Sequence, residues 1–167
     1  MENDAGKTER IKREMDAERR RIHAERNDAL ALEHTAREQR QKGRELVKNF
    51  MQVEAPAIMG PYAAARDCTA PSTRETGAGF QCDYIVRYPL TPLHASVVIE
   101  LESSVAEDSV RFALTAKDGG EDRKFFTEKL PPRFLESPIE GVGEWLDKSL
   151  AKCMTALVNW EERRPSR

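Results

Sequence analysis

The chain has 167 residues, of which 34% are charged and only 7% are aromatic, with a formal net charge of -2 and a mean hydropathy of -0.68. This length leaves room for about one domain plus an extension, and the nearly balanced charge excludes bulk attraction to nucleic acid or to an acidic membrane. Three widely spaced cysteines, the lack of a signal-peptide-like start and the lack of a long apolar run predict a soluble intracellular protein without a disulfide framework.

Residues 7–50 have the composition of one long helix. They contain no proline and one glycine, and the residue types that dominate them (Glu, Arg, Lys, Ala and Gln) are all good helix formers. About 45 helical residues would span roughly 65 Å, which is longer than a small domain is wide. The sequence therefore predicts a projecting helix that no core covers.

A heptad pattern follows this helix. Counting every seventh residue from Thr8 and again from Ile11 gives fourteen positions, here called the seam, of which nine are apolar. Glu18, Glu25 and Gln39 dilute the seam, but its spacing is typical of a coiled coil. We expect a parallel coiled coil, most simply a homodimer and otherwise a pair with a related chain, whose interface residues are Ile11, Met15, Ile22, Ala29, Leu32, Ala36, Leu46 and Phe50.

Acidic and basic residues at four-residue spacing are expected to support the helix from outside. The pairs are Glu9 with Arg13, Asp16 with Arg20, Glu33 with Arg37, and Glu38 with Lys42. The same pairs fit a solvated single helix without a partner, which is the alternative interpretation of this segment.

The composition changes after Val53, where proline and glycine become frequent. Residues 55–66 are predicted to form a short helix broken at Gly60–Pro61, followed by a flexible loop. The predicted organisation is an N-terminal helix over residues 1–53, a hinge and loop over residues 54–78, and a small head domain over residues 79–167.

The head is predicted to be a two-layer α+β domain. Apolar residues alternate in four stretches, residues 80–88, 95–103, 110–117 and 123–130, which is typical of half-buried strands in an antiparallel meander. The sequence Ser137-Pro138-Ile139-Glu140 has the form of a capping box. It precedes an apolar stripe that predicts a helix over about residues 138–161, packed on the sheet.

The other face of the predicted sheet is mainly polar, apart from Ile85, Val98 and Ala113. In simple register these three residues are neighbours and form a small apolar patch flanked by charge. Most such patches are tolerated surface, and the alternative is a docking face for a partner.

No residue pattern in the chain indicates catalysis, a metal or a cofactor. His23 and His34 lie eleven residues apart, about 16 Å along one helix, which is too far to share a metal ion. Cys82 and His94 are placed near opposite ends of a strand, so a thiol–imidazole pair is not expected. No glycine-rich phosphate loop is present.

Three alternative functions stay open beside an interaction protein with a coiled coil. One is a compact monomer, similar to a chaperone or an immunity protein, whose N-terminal helix folds back on the sheet. Nucleic-acid binding through Arg19-Arg20-Arg21 and Arg163-Arg164 would be steeply salt-dependent. A cysteine enzyme that uses Cys68 would show rapid alkylation of that thiol.

The order of helix, sheet and closing helix resembles the RWD-type globular heads that follow coiled coils in kinetochore and monopolin-complex proteins of chromosome segregation. The residues that carry the resemblance are the strand start Phe80-Gln81-Cys82, the turn Leu130-Pro131, and Phe134-Leu135 before the last helix. The resemblance implies a non-enzymatic scaffold in the nucleus, whose head binds segments of other proteins.

Overall fold

The computed structural model describes residues 4–88 and 95–163 of the chain. These residues form an α+β structure with a long N-terminal helical stretch, an antiparallel sheet of five strands and a C-terminal helix. The chain divides into two compact units, residues 1–39 and residues 40–167. None of the described helices has an apolar stretch long enough to cross a membrane.

Three consecutive elements make the N-terminal helical stretch of 61 residues. They are helix α1 (Asp4–Asn49), a π-helical segment (Phe50–Glu54) and helix α2 (Ala55–Ala64). In the π-helical segment the Ala55 N–H donates to the Phe50 carbonyl, five residues earlier. This widened turn lies directly before Pro56, which has no N–H to donate to the helix.

The predicted break at Gly60–Pro61 is wrong, because α2 continues through both residues. The ring of a proline disfavours a helical conformation of the preceding residue by contact with its Cβ. Gly60 has no Cβ, so this contact does not arise. The Pro61 carbonyl accepts a hydrogen bond of 3.0 Å from the Ala65 N–H, which continues the helical geometry past the proline.

The second half of this helical stretch contributes to the core of the second unit. Its buried residues recur every three or four positions, so they share one helix face; they are Gly43, Val47, Phe50, Met51, Ala55, Met59 and Ala63. The segment predicted as a hinge is thus partly a core helix. Three members of this face are glycine or alanine, which carry little hydrophobic signal, so the sequence shows the face only in part.

The five strands form a meander in which each strand pairs antiparallel with the next. They are β1 (Ser72–Glu75), β2 (Gly79–Arg87), β3 (Ser96–Val105), β4 (Ser109–Asp118) and β5 (Arg123–Phe134). Strands β2 to β5 correspond to the four predicted strands. The added strand β1 lies in the segment predicted as a flexible loop.

Strand β1 was missed because its sequence, Ser-Thr-Arg-Glu, has no apolar alternation. It is instead held by tertiary contacts. It pairs with β2, with Ser72 opposite Asp83 and Glu75 opposite Phe80, and the Thr73 hydroxyl donates to the Met51 carbonyl in the π-helical segment.

Helix α3 (Val142–Arg163) covers the apolar sheet face together with α2 and the π-helical segment. Its buried stripe includes Leu146, Leu150, Cys153 and Leu157, in agreement with the predicted spacing. The helix begins later than residue 138 because Gly141 has a φ of 71°, outside the helical region, so that the helical conformation starts only after it.

Gly43 marks a close approach between α1 and the chain after β5. A Cβ at this position would overlap the Leu135 carbonyl oxygen and lie 2.9 Å from the Leu135 Cβ. Leu135 is itself buried, and its N–H donates to the Asp108 carbonyl at 3.2 Å. The two backbones can therefore meet only because residue 43 is a glycine.

We predict that Gly43→Ala destabilises the second unit by about 1–3 kcal/mol, because the added methyl group forces two packed backbone segments apart. Helix propensity alone would give the opposite sign, since alanine is the better helix former. Denaturant unfolding followed by circular dichroism measures the change. The matched control Asn49→Ala, at an exposed site of the same helix, should be neutral or stabilising by a few tenths of a kcal/mol. Equal or higher stability of Gly43→Ala would contradict the close approach.

Candidate functional site

The seam residues of the first unit lie at the surface of α1. The exposed fractions of Ile11, Met15, Ile22 and Leu32 are 44%, 53%, 39% and 73%; Ala29 is exposed and Ala36 half-buried. Burying an aliphatic side chain of this size is worth about 1.5–3 kcal/mol. This apolar stripe can therefore stabilise a complex with another helix.

Ion pairs line the outside of the same helix. Two predicted pairs are present: Glu9 with Arg13 at 3.7 Å and Glu33 with Arg37 at 3.1 Å. Asp16 was predicted to pair with Arg20, but its carboxylate lies 3.7 Å from the Arg19 guanidinium instead. Exposed pairs of this kind contribute only tenths of a kcal/mol each, so they support the helix without explaining its seam.

The last four seam positions lie in the second unit, and two of them, Leu46 and Val53, are exposed like most of those before them. Gly43 and Phe50 are buried, and the Phe50 ring lies edge-on to Phe112 with 5.8 Å between the ring centroids. Phe50 was predicted to be an interface residue and is a core residue instead, because the sheet supplies its apolar neighbours. Leu46 keeps 43% of its surface exposed.

Leu30 is an apolar residue of α1 that lies off the seam, and 63% of its surface is exposed. The heptad pattern alone gives it no role. Its exposure makes it a useful reference for the seam residues, since it matches them in chemistry but occupies another helix face.

The second candidate surface is the sheet face opposite the core, here called the open sheet face. Ile85 on β2 pairs directly with Val98 on β3; Ile85 is exposed and Val98 half-buried. Ala113 on β4 pairs with Glu102, about 13 Å along β3 from Val98. The predicted three-residue patch is therefore wrong in one member, because the β3–β4 register places Lys117 opposite Val98.

A buried polar network occupies the middle of the open sheet face. Gln81 Nε2 donates to Glu100 Oε2 at 2.6 Å and to Asp83 Oδ2 at 2.9 Å, and Lys117 Nζ lies 3.7 Å from Glu100. Only 6% of Glu100 is exposed. Burial raises the pKa of its carboxyl above the ordinary value of 4.5, against the opposing effect of the Lys117 ammonium, and the nearby Glu102 raises it further.

A shallow cavity of about 580 Å³ lies on β3, β4 and β5. The charged side chains that line it are three cations, Arg111, Lys124 and Lys129, and one carboxylate, Glu102. Thr115 also lines it, and its buried hydroxyl makes no hydrogen bond within the part of the chain that the structure describes. The charge of this cavity favours an acidic ligand.

Strand β5 forms one edge of the sheet. Pro131 and Pro132 lie in its second half, where they have no N–H to offer to a further strand. Phe134, at its end, exposes 76% of its surface. In the sequence Phe134 is only part of the family-like pattern before the last helix, because a single exposed aromatic residue has no periodic signal.

A cluster around Glu161 joins three elements of the second unit. The Tyr88 hydroxyl donates to Glu161 Oε1 at 2.5 Å, and the Arg66 guanidinium contacts the same carboxylate. The Trp160 ring lies 5.8 Å from Tyr88 and stacks on Phe125 at 5.3 Å. Burial and the Glu161 carboxylate raise the pKa of Tyr88, so the phenol stays a hydrogen-bond donor. The sequence predicted Arg66 at the end of a short helix and gave no sign of this cluster.

The thiols show no sign of activation. Cys82 and Cys153 are buried and Cys68 is half-buried. Burial raises the pKa of all three, that of Cys153 to about 12. A raised pKa favours the protonated thiol, which is a poor nucleophile.

The histidines lie apart from the thiols. His23 and His34 are exposed on α1, and His34 Nδ1 lies 3.6 Å from the Glu38 carboxylate. His94, considered as a partner for Cys82, falls outside the described residues, as does Arg164 of the basic C-terminal sequence. Within residues 4–88 and 95–163, no three His, Cys, Asp or Glu side chains are grouped as metal ligands.

We predict that Glu100→Gln stabilises the protein at pH 7. A carboxyl whose pKa is raised by folding favours the folded state below its unfolded pKa, and this contribution is lost as the pH rises through the folded pKa. Glutamine removes the buried charge and can still accept from Gln81. The gain over wild type should therefore shrink as the pH falls from 7 to below the ordinary value of 4.5.

Thermal unfolding at a series of pH values measures this difference. Glu45→Gln, which removes an exposed carboxylate of α1, is the matched control and should change stability by less than about 0.5 kcal/mol. A Glu100→Gln protein that is less stable than wild type at pH 7, or a difference that does not depend on pH, would contradict the prediction.

Comparison with known proteins gives no match. No protein-family model, curated protein or solved structure matches this chain. The candidate function therefore depends on two surfaces of the chain: the apolar seam on α1 and the open sheet face with its basic cavity.

Proposed function

We propose that this chain is a non-enzymatic interaction protein with two binding surfaces. The seam of α1 pairs with another helix in a coiled coil, and the open sheet face binds segments of other proteins. One observation carries the proposal: Ile11, Met15, Ile22 and Leu32 lie at heptad spacing and are exposed along one helix.

The exposed seam is best explained by a partner helix. A solvated single helix needs only good helix formers and surface ion pairs, and α1 has both without its aliphatic residues. Aliphatic residues at a and d positions instead supply the contacts between helices in a coiled coil. Their heptad spacing over residues 8–36 matches that geometry.

The open sheet face is proposed as the surface that binds protein segments. The helices α2 and α3 pack on the opposite face, where the apolar residues of β2, β3 and β4 lie. On the open face, Ile85 and Val98 provide an apolar contact, and the basic cavity provides cations for acidic side chains. A short acidic segment with one apolar anchor has complementary chemistry.

The resemblance to RWD-type heads suggests a setting for this activity. As part of the same proposal, the chain would connect protein complexes of chromosome segregation, such as those at the kinetochore, in the nucleus. The support for this setting is the order of a heptad helix followed by a small α+β unit with a closing helix.

We predict that Ile22→Glu removes the helix pairing, because it places a carboxylate in the centre of the seam. Sedimentation equilibrium measures self-association, and fluorescence anisotropy measures binding of a synthetic heptad peptide with isoleucine and leucine at its seam and glutamine at its flanks. The wild-type chain should show at least one of these two activities. The variant should lose affinity by about tenfold or more.

Leu30→Glu is the matched control for this experiment. It introduces the same charge at an exposed leucine of the same helix that lies off the seam, so the pairing should be unchanged. The proposal fails if the wild-type chain neither self-associates nor binds the peptide, or if the two variants weaken pairing equally.

A further inference from the structure

The residues that flank the seam decide which helix can pair with α1. In a parallel two-stranded coiled coil, the residue before an a position (position g) faces the residue five positions later (position e) on the partner. Positions e of the first unit are mostly basic: Lys12, Arg19, Arg26 and Glu33. Positions g are mixed: Lys7, Glu14, Arg21 and Asp28.

A parallel pair of two copies of this chain brings like charges together. Three of its four charged g–e contacts have equal sign and one has opposite sign: Lys7 meets Lys12, Arg21 meets Arg26 and Asp28 meets Glu33, while Glu14 meets Arg19. Like charges at these positions oppose pairing, and e and g residues are known to set partner choice. The flanks therefore disfavour the parallel homodimer.

The seam glutamates disfavour it further. Glu18 and Glu25 occupy d positions, so each would meet its own copy in the interface of a parallel pair. In the single chain Arg21 donates to Glu18 at 2.6 Å and lies 3.9 Å from Glu25. These contacts form in solvent, where they are weak. A helix interface would remove water from both carboxylates and bring two more of them close.

An antiparallel pair of two copies does not solve this problem. In the alignment that overlaps residues 8–39 completely, a positions face d positions of the other copy. Glu25 then lies opposite Ile22, and Glu18 lies opposite Ala29. Both carboxylates would then pack against apolar side chains. This arrangement is unfavourable, because burying a charge without a partner costs free energy.

We infer that the partner of α1, in the parallel arrangement expected from the heptad pattern, is a helix of a different protein that is acidic along the flank facing Lys12, Arg19 and Arg26. Basic residues of this partner lie opposite Glu18 and Glu25 in the seam. This inference depends on the proposed coiled-coil function and names the chemistry of its partner. It replaces the expected homodimer with a heterotypic pair.

Two synthetic peptides of about five heptads test the inference on the full chain. Both have isoleucine at a and leucine at d, except opposite Glu18 and Glu25. The matched peptide has lysine at these two d positions, glutamate at the g positions that face Lys12, Arg19 and Arg26, and lysine opposite Glu33. The reversed peptide has the opposite charge at each of these sites.

We expect the full chain to bind the matched peptide at least about tenfold more tightly than the reversed peptide in anisotropy titrations, since several repulsive contacts become attractive. The chain alone should sediment as a monomer at the same concentration. The double variant Arg19→Glu/Arg26→Glu should weaken this preference at least threefold, because two of the six designed charge contacts are reversed in sign. Lys48→Glu, at an exposed position of α1 beyond the first unit, is the control and should keep the preference.

The outcomes separate this inference from the proposed function. Equal binding of the two peptides, or self-association tighter than binding of the matched peptide, leaves the coiled-coil function intact and overturns the heterotypic partner. Absence of both self-association and peptide binding overturns the function and the inference together.

Discussion

The second unit depends on one constraint: the apolar face of a five-stranded sheet has to be covered by helices. In strands β2, β3 and β4, every second residue lies on that face and is buried. Helix α3 alone covers only part of the face. The rest is covered by the helical residues between Gly43 and Ala63, with Phe50 against Phe112 near the centre. The second half of the N-terminal helical stretch is therefore a structural part of this unit.

The same helical stretch changes its role along its length. After Arg40 one apolar face of the stretch lies in a core, while Leu46 and Val53 stay exposed; before that position the heptad residues lie at the surface. A protein of marginal stability gains nothing from aliphatic residues in water, whereas a partner helix would bury them. This contrast within one helix is what makes a binding role the most economical explanation of its sequence.

Much of the fold could be predicted because its signals are local. Period-two alternation located β2 to β5, and the spacing of Leu146, Leu150 and Leu157 located α3. Strand β1 and the burial of α2 in the core could not be predicted, because their stabilising contacts come from residues far away in sequence. The same holds for the two candidate surfaces: the seam is periodic and was predicted, whereas the basic cavity depends on which residues three strands bring together.

The sequence by itself determined the helix, the seam with its charge pattern, and the two faces of the sheet, since each follows from periodicity or charge within a short segment. Only the tertiary structure decided that Phe50 belongs to a core, that Gly43 allows two backbones to meet, and that Ala113 lies away from Val98. These features depend on strand register and on contacts between distant segments. Such contacts are set by packing, which no local pattern encodes.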